Sequence, residues 1–139
     1  MSDCIFCDIV AGRGEVSRVY EDTVSLAFMN LRQANPGHVL VIPKAHVATI
    51  LELDEELVAQ LFQTVRVVAR AVQKCFTPDG ITIWQSNGIA SGQEIFHTHV
   101  HVLPRRVGDE IISFYPNGDP LARPREELDS LAAQLGRFC

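Results

Sequence analysis

The sequence has little of what would put a chain in a membrane, on nucleic acid or in an oxidising compartment. No stretch approaches the roughly 18 uninterrupted apolar residues of a spanning helix, so no membrane partner is expected. The opening residues, Met1-Ser2-Asp3-Cys4-Ile5-Phe6-Cys7, have neither the basic start nor the apolar run of a secretory signal. A cytoplasmic protein is the expectation. Basic residues number 12 against 17 acidic, for a net charge of -5, and aromatics are 7%. A basic stripe with interleaved aromatics is therefore missing, which argues against polymeric nucleic acid as a partner. A small phosphorylated ligand stays open, because backbone N–H groups and a few side chains can hold a phosphate without a basic surface. The four cysteines are too few and too scattered for a disulfide framework in a reducing compartment, and Cys75 and Cys139 read as neutral. Only Cys4 and Cys7 stand at a ligand-like spacing. Internal repeats and low-complexity segments are also lacking.

What is present is an ordinary globular balance: 139 residues, 47% hydrophobic and 21% charged. That length fits one domain over residues 1–139, able to bury roughly two-thirds of its unfolded surface without help from metal or disulfide. Any metal must be argued from its ligands.

Val24-Ser25-Leu26-Ala27-Phe28-Met29 and His38-Val39-Leu40-Val41-Ile42 read as an antiparallel pair across the Asn35-Pro36-Gly37 turn signal. A long helix follows, capped by Asp54 with Glu55 and Glu56 in its first turn, and stopping near Thr77-Pro78-Asp79-Gly80. Its stripe is Leu57, Leu61, Val65, Val68 and Val72. Ile81 to Gln85 reads as a strand, Ser86 to Gly92 as a glycine-rich loop, and Phe96 to Leu103 as a strand ended by Pro104. Leu128, Leu131, Ala132 and Leu135 stand at helical spacing after Pro124. The expected class is α+β, with a mainly antiparallel sheet, one long central helix and a C-terminal helix.

The informative segment is Phe96-His97-Thr98-His99-Val100-His101-Val102-Leu103. On a strand, alternate side chains share a face, so His97, His99 and His101 are expected on one surface with Val100 and Val102 on the other. Aligned imidazoles can ligate a metal, or one of them can attack phosphorus while its second nitrogen is held by a hydrogen bond. The cluster by itself leaves both open.

This segment resembles the signature of the histidine-triad (HIT) family, departing from it only at Thr98. Ile5-Phe6-Cys7-Asp8-Ile9, Leu26-Ala27-Phe28-Met29-Asn30, the run from Pro36 to His46, and Ser91-Gly92-Gln93 are similar to the family in the order it uses them. The resemblance is to its bacterial nucleotide-binding hydrolase branch, similar to the Hint proteins. It implies a homodimeric α+β hydrolase or transferase acting on the α-phosphate of purine nucleoside monophosphate conjugates, phosphoramidates or related compounds. By the same resemblance His99 attacks phosphorus and carries the nucleotide until water releases it. His101 meets the phosphate oxygens and His38 orients the triad. Ser86, Asn87 and Gln93 are candidate phosphate donors. Asn30 falls where the family binds the ribose hydroxyls. Phe6, Phe28 and Leu31, with Ile5 and Ile9, match the walls of its base pocket.

Cys4-x-x-Cys7 alone is a weak metal signal. The resemblance adds His46 and His97, completing a four-ligand set for a structural zinc; no organic cofactor is implied. His97 must then turn its ring away from His99 and His101, toward the N-terminal segment. Two rivals remain at this point: a zinc hydrolase using His97, His99 and His101 as ligands, and a nucleotide-binding interaction module without turnover. A dinucleoside polyphosphate hydrolase of the same family is the nearest alternative substrate class. Val58, Phe62 and Ala69 beside the helix stripe are more apolar surface than a one-sided helix needs, which a two-fold dimer would bury. Arg105-Arg106 and Phe114 to Gly118 depart from the family pattern and leave the branch and the leaving group open.

Overall fold

The computed structural model describes residues 3–139, which fall into two compact units, residues 3–109 and 110–139. The first contains α1 (Ile5–Val10), β1 (Arg18–Glu21), β2 (Ser25–Met29), β3 (Val39–Pro43), α2 (Glu55–Phe76), β4 (Gly80–Gln85) and β5 (Val100–Arg105). The second contains α3 (Arg125–Gly136), whose residues are all exposed and whose first turn carries Glu126 and Glu127.

The five strands form one sheet in the order β1-β2-β3-β5-β4, with every neighbouring pair antiparallel. The β1–β2 hairpin turns on Asp22, whose carboxylate accepts from the backbone N–H groups of Val24 and Ser25 at 2.9 and 2.8 Å. Strand alternation then sorts the residues onto two faces. Ala27, Val39, Val41, Val100 and Val102 pack against Leu61, Val65, Val68 and Val72 of α2. Leu26, Phe28, Leu40 and Ile42 point the other way and are covered by Phe6 and Ile9 of α1. Full burial of each such aliphatic side chain contributes about 1.5–3 kcal/mol, so both faces are held by apolar cores. His101, opposite Leu40, and Trp84, opposite His101, continue the α1-covered face toward β4.

α2 begins and ends as its sequence indicates. The Asp54 carboxylate accepts from the Leu57 N–H at 2.9 Å, and Thr77 closes the helix with φ 45° before Pro78. α1 and β1 are not evident from the sequence. α1 has six residues, of which only Phe6 and Ile9 are buried, too few for periodicity to register. β1 is an edge strand exposed along its whole length, so it lacks the apolar alternation that marks a strand.

The largest correction concerns the histidine segment. The strand runs from Val100 to Arg105, not from Phe96 to Leu103, and Pro104 lies inside it, opposite Ile81. β3 pairs with β5 only as far as Val102, so Pro104 stands where one flank is already free of ladder bonds and its missing N–H breaks no rung there. Before Val100 the chain is pulled out of the sheet plane. The backbone N–H and hydroxyl of Thr98 both reach the Val47 carbonyl, at 2.8 and 3.1 Å. His97 and His99 therefore lie in an approach to the strand, and only His101 sits within it.

Candidate functional site

The loop from Asn30 to His38 is pinned by Gln33, whose amide oxygen accepts from the N–H groups of Gly37 and His38 at 2.8 and 3.1 Å. The same amide donates to the carbonyls of Asn30 and His38. Gly37 is required here, with φ +111° and a notional Cβ 2.8 Å from the Phe76 ring. This frame presents Asn30 and His38 to the face that bears His101.

A directed chain of hydrogen bonds results. Asn30 Nδ2 donates to His38 Nδ1 at 3.1 Å, which leaves the proton of neutral His38 on Nε2, and that N–H donates to His101 Nδ1 at 3.0 Å. Neutral His101 then carries its own proton on Nε2. Burial holds both rings neutral: it lowers His38 against an opposing backbone hydrogen bond at Arg32, and pushes His101 down to about 3 with nearby His99 and His38 adding. Trp84 stacks on His101 with centroids 4.0 Å apart and planes 3° apart.

His99 is fixed differently. It is buried, and its Nδ1 lies 2.7 Å from the carbonyl of His97. A carbonyl only accepts, so Nδ1 bears the proton and Nε2 keeps the lone pair. The His99 ring is 5.1 Å from that of His101 and meets Phe6 edge-to-face at 5.4 Å. The site thus couples a free imidazole lone pair with a neighbouring imidazole donor, a pairing suited to attack on a phosphoryl centre.

Phe6 also lines a cleft of about 810 Å³ with Ile9, Phe28, Asn30, Leu31 and Leu40 among its walls. That is within the usual range for a small-molecule site. Asn30 links the cleft to the histidine chain, while Leu31 and Ile5 are largely exposed. Three loop residues are occupied elsewhere or held apart. The Gln93 side chain is buried; its oxygen accepts from Gly88 N–H at 2.7 Å, and its nitrogen donates to the carbonyls of Ala48 and Ile95. Asn87 accepts from the Ile50 N–H and exchanges bonds with Gln85. Ser86 is half-buried at the end of β4. Gln93 and Asn87 therefore shape the loop by tying it to residues 48–50.

The third triad histidine belongs to another cluster. His97 Nε2 donates to the Pro43 carbonyl at 2.8 Å, which leaves Nδ1 free. That Nδ1 is 3.5 Å from Cys4 Sγ, 3.6 Å from Cys7 Sγ and 3.3 Å from His46 Nδ1, and Cys7 Sγ is 3.2 Å from His46 Nδ1. A tetrahedral zinc, at about 2.3 Å from sulfur and 2.0–2.1 Å from nitrogen, sets its ligand atoms roughly 3.3–3.8 Å apart. These four separations are close to that spacing, and all four donor atoms lie within 4.8 Å of one another. Among the described residues this is the group of cysteine, histidine and carboxylate side chains that could hold a metal. Burial raises the Cys4 thiol and lowers His97, so both prefer their neutral forms until a cation compensates the thiolate. A site made of His97, His99 and His101 is not formed, because His97 faces the cysteines.

The HIT domain family matches residues 13–108. The chain belongs to the HIT family. It is 44% identical to Protein hit of Bacillus subtilis (strain 168) over 103 residues, covering 74% of this chain and 71% of that protein. Adenylylsulfatase HINT3 of Arabidopsis thaliana is 34% identical, with 96% of this chain and 66% of that protein covered. Adenosine 5'-monophosphoramidase hnt1 of Schizosaccharomyces pombe is 36% identical, with 73% and 74% covered. The crystal structure of a HIT family member from Bacillus subtilis superposes with a TM-score of 0.92 at 34% identity, covering 99% of this chain and 98% of that one. A zinc-bound histidine triad family protein from Mycobacterium smegmatis gives a TM-score of 0.74 at 37% identity, with 99% and 98% covered. The α+β class with its antiparallel sheet is the fold of these HIT neighbours. Nucleotide binding and hydrolysis are the family's chemistry.

Proposed function

We propose that the chain is a nucleotidyl hydrolase that cleaves the α-phosphate bond of purine nucleoside monophosphate conjugates, phosphoramidates or close relatives, through a nucleotide covalently held on His99. The observation that carries the reading is the Nδ1–H of His99 on the His97 carbonyl at 2.7 Å, which leaves Nε2 as the nucleophile. Nε2 forms a bond to phosphorus as the bond from phosphorus to the leaving nitrogen breaks; the leaving group keeps the electron pair and takes up a proton from solvent. The His97 carbonyl then faces a positively charged imidazole, which strengthens the bond it accepts. His101 offers Nε2–H to a phosphate oxygen, and the chain from Asn30 through His38 keeps it in that tautomer. Water next attacks phosphorus and gives up a proton to solvent, and the electron pair of the phosphorus–nitrogen bond returns to His99.

Phe6, Phe28 and Leu31 supply apolar wall for a purine, and Asn30 stands at the mouth where a ribose would lie. The names of two relatives, a 5'-monophosphoramidase and an adenylylsulfatase, support AMP conjugates as the substrate class. Cys4, Cys7, His46 and His97 would hold a structural zinc, supported by the spacing of their donor atoms and by the zinc-bound neighbour. Zinc bound there would supply a cross-link between α1 and the segment that leads into β5, apart from the reacting histidines. A homodimer in the cytoplasm completes the reading; sedimentation of a monomer at micromolar concentration would count against the dimer.

The experiment is mass spectrometry of the intact protein after rapid quench with a panel of nucleoside phosphoramidates and dinucleoside polyphosphates. A mass increase of one nucleotidyl group, the nucleoside monophosphate less one water, at His99 is expected. Turnover without any adduct would reject the covalent route, and the better of the two substrate sets would decide between the conjugate classes.

A further inference from the structure

The hydrogen-bond chain fixes only one edge of His101. A single bond at Nδ1 determines which nitrogen carries the proton, yet it leaves the ring free to tilt about that contact. The face of the ring is held by something else. In the β4–β5 ladder Trp84 lies directly opposite His101, so their side chains leave the same face of the sheet at neighbouring sites. The indole lies parallel to the imidazole at 4.0 Å and 3°, and its centroid is 5.5 Å from that of His38. One flat ring thus backs His101, the member of the histidine chain that aims at phosphate.

We propose that Trp84 is a positioning residue for His101: by stacking on its face it fixes the plane in which Nε2–H points, without touching the nucleotide. The inference rests on His101 being the phosphate donor of the reaction proposed above. A tilted His101 still binds, but its N–H no longer follows the oxygen as charge grows on it in the transition state, so the loss falls on kcat. An aromatic pair of this kind is worth roughly a three- to tenfold change in the population of the aligned ring. Phenylalanine at 84 keeps a flat face; leucine does not.

The test uses the full-length protein with Trp84→Leu, Trp84→Phe, His101→Ala and the double variant Trp84→Leu/His101→Ala, each checked for the wild-type fold by circular dichroism. Expected are a fall in kcat of roughly three- to tenfold for Trp84→Leu with KM little changed, recovery in Trp84→Phe, and no further loss when Trp84→Leu is added to His101→Ala. A readout independent of activity is NMR of the His101 ring protons. They are shifted upfield by the indole in the wild type and should return in Trp84→Leu. Equal losses from Trp84→Leu with and without His101 would overturn the proposal, as would an effect confined to KM. Trp84 is the chain's only tryptophan, so its own fluorescence follows the stack in the wild type and in His101→Ala. Absence of any adduct at His99 in the wild type overturns the nucleotidyl reaction itself; an adduct with additive losses overturns only the role of Trp84.

Discussion

His97 and His99 are two residues apart and are wired in opposite senses. His97 gives its Nε2–H to the Pro43 carbonyl and turns Nδ1 toward two sulfurs and a second imidazole. His99 gives its Nδ1–H to the His97 carbonyl and keeps the lone pair on Nε2, its ring beside that of His101. In each ring one backbone carbonyl selects the tautomer, and the nitrogen left over defines the use: a closed set of four donors in the first case, an unshared lone pair in the second. The same residue type is divided between two chemistries by which carbonyl it meets.

The sharpest way to break the contrast is to remove the unshared lone pair. His99→Ala or His99→Asn should lower kcat by about a thousandfold or more, because the covalent route is lost, while nucleotide affinity measured by calorimetry stays near wild type. Near-normal turnover in either variant would mean that His99 is not the nucleophile. Loss of the donor beside it should cost less. His101→Ala removes a hydrogen-bond donor to the phosphate, and a single donor is typically worth about a hundredfold to a thousandfold. His38→Ala should act in the same direction through His101, and steady-state kinetics on one phosphoramidate will rank the three. An effect of His38→Ala larger than that of His99→Ala would contradict the order of roles.

The closed cluster is tested through stability. Replacing Cys4 and Cys7 together with serine should abolish stoichiometric zinc and lower the melting temperature by on the order of 10 °C, while leaving measurable turnover. Atomic absorption and calorimetry give the two readings. Unchanged melting with no zinc in the wild-type protein would dismiss the metal site.

How much of this contrast is legible in the sequence depends on what carries it. The five histidines, the Cys4-x-x-Cys7 pair and the bounds of α2 are side-chain signals: α2 runs from its Asp54 cap to Thr77, and the histidines and cysteines gather into two clusters. The bend before Val100 is not, because Phe96 to Leu103 alternates as a strand would, and the hydrogen bonds of Thr98 to Val47 come from a segment 51 residues earlier. Gln93 reads as a free loop amide; only the fold brings Gly88 and Ala48 around it. Trp84 gives no sign of its partner until the register of β4 against β5 is known. The carbonyls of His97 and Pro43, which decide both tautomers, have no side-chain signature at all.

The smallest expected effect is a pH dependence of stability. His38 and His101 are held neutral in the fold, His101 down to about 3, whereas an unfolded histidine titrates near 6.5. As the pH falls below 6.5 the unfolded chain takes up protons that the folded one refuses. The stability due to His101 should therefore be fully present above about 6.5 and decline toward 3, by up to about 1.4 kcal/mol per pH unit, with His38 adding in the same direction. Denaturant melts between pH 7 and 5 should show a shallower decline in His101→Asn than in the wild type; an equal or steeper one would show that His101 is not the group responsible.

The carbonyl that orients His99 belongs to the backbone of residue 97, whatever side chain stands there. No point substitution can delete it, so the proposed nucleophile's tautomer is shielded from the commonest form of genetic change. What variation can do is move it. The ring of residue 97 is held by the Pro43 carbonyl on one nitrogen and lies against the cysteine cluster with the other, so a change there that reaches the main chain at residue 97 moves the carbonyl. Substitutions at Cys4, Cys7 or His46 should thus be felt by His99 as a small displacement of its acceptor, a graded loss inherited through the main chain.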